Sequence, residues 1–152
     1  MTAIYGPIRE IRKGVDAILE IDKQLTNLRK VADGTIEDFQ RFGKESAELG
    51  RELGRTAQEV VQVSVEFARL GYDMKQSMVL AEEALTLANV GVMAIEDATR
   101  SLIATTQGFG IEVDDHGKNV RRLVDMMFVP HNGDIMCVPR ICGNVLQKLD
   151  LI

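Results

Sequence analysis

The side chains best suited to metal or redox chemistry are His116, His131, Cys137 and Cys142, all in the last quarter of the sequence. Neither histidine belongs to a spaced cluster of the kind that encloses a metal ion. Both are expected on the surface or in loops. The cysteines are not spaced as C-x-x-C, so they form neither a redox nor a zinc motif. Free, buried thiols in a reducing compartment are the expectation. Glu82 and Glu83 are adjacent, and successive positions of a helix diverge, so no acid–base dyad is expected from them. Ser46 and Ser64 have no base nearby in sequence. No phosphate loop, G-x-S-x-G or H-E-x-x-H occurs. The reading is a protein without catalytic residues, cofactor or metal. A small enzyme built on Cys137 or Cys142 is the weakest of the alternatives.

If the chain does no chemistry of its own, its surfaces must act by contact. Its 152 residues are 45% hydrophobic but only 5% aromatic, with no Trp. A core of Leu, Ile, Val, Met and Ala suits helix packing better than a β-sandwich. The net charge of -5 is uneven. Residues 1–56 hold ten basic and ten acidic side chains. Residues 57–116 hold three basic and ten acidic, and residues 117–152 hold five basic and three acidic. No stretch is a basic patch, which argues against nucleic acid as a partner. The longest uncharged apolar run, Ala84 to Ile95, is too short to span a bilayer. Met1 to Lys13 lacks the apolar region of a signal peptide.

The periodicity predicts an all-α fold. Ile4, Ile8, Ile11, Val15, Ile18, Ile21, Leu25 and Leu28 follow one another at three- or four-residue steps, the stripe of a coiled-coil-like helix over residues 1–33. Ile8, Ile11, Val15, Ile18, Leu25 and Leu28 are the candidate seam for self-association. Gly34 is expected to stop this helix. Thr35 opens the next as N-cap, with Asp38 in its first turn and Phe39 and Phe42 as anchors. Gly43, Ala47, Gly50 and Gly54 form a stripe of small side chains, expected to pack closely against another helix. Thr56 with Glu59, and Asp73 with Gln76, match the capping box. The helix after Asp73 is apolar on most sides and should be central. Further helices are predicted from Ile95 to about Gly108 and from about Asp115 to Met127. Residues 35–127 therefore read as one packed helical unit. Residues 128–152, interrupted by Pro130, Gly133, Pro139 and Gly143, read as a divergent, poorly ordered tail.

One stretch is more specific than these patterns. It contains Glu66-Phe67-Ala68-Arg69-Leu70-Gly71-Tyr72, Leu80-Ala81-Glu82-Glu83-Ala84-Leu85 and Ala88-Asn89-Val90-Gly91. Ile95-Glu96-Asp97-Ala98-Thr99 and Gln107-Gly108-Phe109 close it. In order and spacing this resembles the helical core region of phage tail tape measure proteins, over about residues 56–127. The resemblance implies a structural protein of the virion tail, assembled in the bacterial host cytoplasm, that scaffolds tail tube polymerisation and sets tail length. Its partners would be further copies of itself, tail tube proteins and tail chaperones, and the family offers no catalytic residues at these positions. The change of character at Phe128 implies a truncated or frameshifted gene of prophage origin, or a fragment. The alternative is a helical protein-interaction module unrelated to phage, acting through the first helix.

Overall fold

The computed structural model describes residues 21–114, 117–131 and 134–137. The stretch from residue 21 to 28 is helical and is here α1. It is followed by α2 (Ile36–Leu53), α3 (Ala57–Arg69), α4 (Met74–Val90), α5 (Ile95–Gly108) and α6 (Lys118–Met127). The packed unit is helical throughout, as the periodicity predicts. After Met127 the chain turns directly into an antiparallel hairpin, β1 (Phe128–His131) with β2 (Asp134–Cys137), in which Phe128 faces Cys137 and His131 faces Asp134. No strand is expected in this segment from the sequence.

Local signals start each helix. Thr35, Thr56 and Asp73 all close full capping boxes, with Asp38, Glu59 and Gln76 as the reciprocating residues. Each box satisfies two backbone donors that would otherwise be left at the helix start. Ala94 gives α5 no side-chain cap, but Glu96 and Asp97 in its first turn oppose the helix dipole. Asp114 accepts from the Lys118 amide at 2.9 Å and so anchors the start of α6. That helix starts at Lys118 rather than near Asp115. Gly117, with φ +64, is the left-handed residue before it, and a Cβ there would collide with Val79.

Helix α4 is the axle of the fold. Leu80, Ala81, Ala84, Leu85, Leu87 and Ala88 are all buried in it, as expected for a helix apolar on most sides. It packs on α3, α5, α2 and α6. The main core joins Val60 and Phe67 of α3 to Leu80 and Leu87 of α4, Leu102 of α5 and Val120 of α6. A second, smaller core lies on the other side of α3, where Val61, Val65 and Ala68 meet Leu28, Phe39 and Phe42. Most of the hydroxyls buried among these side chains are satisfied within their own helices: Ser46, Ser64, Thr99, Thr105 and Thr106 each donate to the carbonyl four residues back, whereas Ser77 donates to the Tyr72 carbonyl just before α4.

Two further positions differ from the sequence reading. Helix α1 ends at residue 28, before Gly34, because the Leu28 carbonyl accepts from both Val31 and Ala32 in a closing turn. Gly54 does not extend the small-residue stripe. It is the C-cap of α2, with φ +67, and a Cβ there would meet nothing within 4 Å.

Candidate functional site

The motif residues singled out in the sequence have identifiable mechanical roles. Phe67 is 1% exposed, and Tyr72, beyond the turn, meets its ring edge-on with centroids 6.4 Å apart. Gly71 makes that turn with φ +93. At the other end of α4, Asn89 donates to the Leu53 carbonyl at 2.9 Å and accepts from Arg55 Nε at 2.9 Å. One exposed amide thus clamps the α2–α3 corner to the end of α4, and Arg55 also pairs with Glu59 at 3.7 Å. Gly91 closes α4 where a Cβ would lie 2.6 Å from Met93 Cε and 2.9 Å from the Leu87 carbonyl oxygen. Val92 follows with φ 48 and 92% exposure, a left-handed conformation that a β-branched residue adopts only under strain. Phe109, which ends the last motif, is 69% exposed.

Glu82 and Glu83 are not paired with each other but share a partner: Arg121 of α6 donates from Nε to Glu83 at 2.9 Å and from its terminal nitrogen to Glu82 at 3.2 Å. The side chain of Glu83 is only 4% exposed. Burial pushes its carboxyl above the ordinary value, and the hydrogen bond and charge of Arg121 offset this only in part. The capping carboxylates go the other way. The backbone and hydroxyl of Thr35 lower Asp38. At Glu59 partial burial pushes upward, but the two bonds from Thr56 and the charge of Arg55 together outweigh it. The Arg121 cluster holds α6 to α4, with all its members paired. Among the described residues no group of three or more histidine, cysteine or carboxylate side chains could hold a metal ion. His116 and Cys142 lie outside the described residues, as do the side chains of His131 and Cys137.

The small-residue stripe resolves into separate contacts. Gly50 is buried, and a Cβ there would lie 2.8 Å from the Arg55 carbonyl oxygen and 3.1 Å from the Ala57 nitrogen. Its close neighbour is therefore the backbone of the α2–α3 turn, not another helix. Gly43 faces α1, with Leu25 Cδ1 3.1 Å from a Cβ built on it. Ala47 is half-buried. In the N-terminal stripe, Leu28 is fully buried in the smaller core and Leu25 packs against the same cluster. Arg29 covers the Phe39 ring at 5.4 Å. Ile8, Ile11, Val15 and Ile18 lie outside the described residues.

A groove of about 500 Å³ runs between α3 and α5. Its apolar lining is Val63, Ile95 and Ile103. Glu59 and Glu66 stand along the α3 side and Glu96 along the α5 side, with Arg100 the one cation among the lining residues. An open groove with an apolar floor and charged walls suits an amphipathic helix better than a small substrate, which needs convergent polar groups to orient it. No periodicity in the sequence announces it, because its two walls belong to helices separated by the whole of α4.

The sequence profile of the family described as phage-related minor tail protein matches residues 43–132. The match begins inside α2, takes in α3 to α6 and reaches past Met127 into the hairpin segment. No solved structure matches the chain. Among the described residues no helix is long and apolar enough to cross a membrane.

Proposed function

The chain belongs to the phage-related minor tail protein family, matched over more than half of its length, and from that premise we propose that it is the core helical region of a tail tape measure protein of prophage origin. In this role it has no catalytic residues. It scaffolds polymerisation of the tail tube, sets tail length and contacts tail tube and tail chaperone proteins. It is assembled in the host cytoplasm and carried in the virion tail.

The observation that carries this reading is the coincidence of the matched segment with the packed helices. The residues that resemble the tape measure core, Phe67, Gly71, Asn89 and Gly91, are those that fix the corners of α3 and α4. The motif is thus spent on holding helices in register, as a scaffold requires. Leu25 and Leu28 of the N-terminal stripe are taken up by the smaller core, and Ile8, Ile11, Val15 and Ile18 are the residues left to supply a surface for self-association.

A ruler is tested by changing its length. An in-frame insertion of helix-forming heptads after the matched region, in the genome that carries this reading frame, should lengthen tails by about 1.5 Å per added residue. Tails of unchanged length in electron micrographs would reject the tape measure role.

A further inference from the structure

The α3–α5 groove lies on a different face of α3 from the one against which α1 is seated. Val61, Val65 and Ala68 turn toward α1 and α2, whereas Glu59, Gln62 and Glu66 face the groove. At about 100° per residue the two sets are centred roughly 125° apart, on different faces of the helix. Leu25 of α1 sits against Gly43 of α2, and neither residue lines the groove.

We propose that the α3–α5 groove receives the amphipathic segment Ile4–Ile18 of a second copy of this chain. The proposal rests on the self-association reading above and names its receiving surface. The chemistry of the two sides is complementary. The groove offers an apolar floor of Val63, Ile95 and Ile103, and its walls carry three carboxylates against one guanidinium. The segment offers Ile4, Ile8, Ile11, Val15 and Ile18 at helical spacing, and over residues 4–18 it carries Arg9, Arg12 and Lys13 against Glu10 and Asp16. In a helix Arg12 flanks the apolar stripe, where it would meet the acidic wall. Of the carboxylates, Glu59 is engaged by Thr56 and Glu66 by Arg69 at 2.8 Å, an exposed pair that an incoming arginine can displace at little cost.

Donor segment and acceptor groove are different surfaces, so the contact is head-to-tail. Each copy both gives and receives, which builds rings or filaments rather than a two-fold dimer.

Two variants of the full chain test this by sedimentation velocity, alone and mixed. Glu66→Lys with Glu96→Lys spoils the groove, and Ile11→Asp with Ile18→Asp spoils the segment. Each alone should associate at least about tenfold more weakly than the unaltered chain. Mixed in equal amounts they should form a one-to-one dimer, because one intact groove then meets one intact segment. If the groove variant assembles normally while the segment variant does not, the segments pair with each other: the proposal falls and self-association stands. If the mixture shows no dimer, the proposal falls as well. If the unaltered chain stays monomeric, both readings fall. Circular dichroism checks the fold of each variant, and Gln62→Arg with Glu66→Lys, both exposed and within α3, replaces the groove variant if Glu96→Lys disturbs the start of α5.

Discussion

At the scale of single residues, Glu83 shows what periodicity cannot reveal. A carboxylate inside an apolar helix signals a buried partner, but nothing in sequence points to Arg121, which lies on another helix. Burial raises the Glu83 carboxyl above its ordinary value of 4.5. The folded protein then binds this proton more tightly than the unfolded chain does, so the contribution of Glu83 to stability improves as pH falls from above its folded pKa toward 4.5. Asp38 and Glu59 are lowered, so the stability they add is present above their unfolded values and is lost on further acidification. Glu83→Gln should therefore melt at the same or a higher temperature than the parent at pH 7, with the gap closing toward pH 4.5. A variant that is less stable at pH 7 would show that the ion pair outweighs the cost of its burial. Val92 yields a second expectation. It is exposed and left-handed, so Val92→Gly should stabilise the α4–α5 turn by about 0.5–1 kcal/mol in denaturant titrations. A loss of stability would mean that Val92 makes a contact that holds the turn.

At the scale of elements, sequence and structure agree where local chemistry decides and part where distant backbone intervenes. Two of the three capping boxes, Thr56–Glu59 and Asp73–Gln76, are legible as residue pairs three apart, because both partners are local, and Thr35 is legible as the cap of the third. The central place of α4 is legible because the helix is apolar on most sides. Gly50 was readable only as a small residue, since its neighbour, the Arg55 carbonyl, arrives by a turn whose geometry no spacing encodes. Gly50→Ala should cost about 1–3 kcal/mol, because the backbone that meets the new Cβ cannot swing aside. Gly108 is the counterpart: a Cβ there meets nothing within 4 Å, and Gly108→Ala should stabilise by about 0.5–1 kcal/mol. Thermal melts that move both variants in one direction would contradict this division. Asn89 joins three elements through one amide, and Asn89→Ala should cost about 1 kcal/mol by freeing the Leu53 carbonyl and Arg55 to water. The hairpin after Met127 is not legible from breakers alone, since Pro130 and Gly133 argue against regular structure there. The Asn132-Gly133 pair between Val129 and Ile135 is in fact a hairpin signal.

At the scale of the whole molecule, two cores share α3, which presents different faces to its surroundings. One face seats α1, and another lines the acidic groove. The groove was not legible in the sequence, since its walls meet only once α3 and α5 have folded onto α4. The acidic excess of residues 57–116 was legible, and three of its carboxylates line that groove. Family membership sets the chain among phage tail proteins rather than with modules unrelated to phage. The central claim is that the protein builds the tail by packing rather than by chemistry. Its most direct test is to delete the reading frame, restore it in trans either unaltered or as Gly50→Leu, and count and measure tails by electron microscopy. The account predicts that deletion abolishes normal tails, that the unaltered chain restores them and that Gly50→Leu, which disrupts the α2–α3 corner, restores fewer. Tails of normal number and length in the deletion would contradict it.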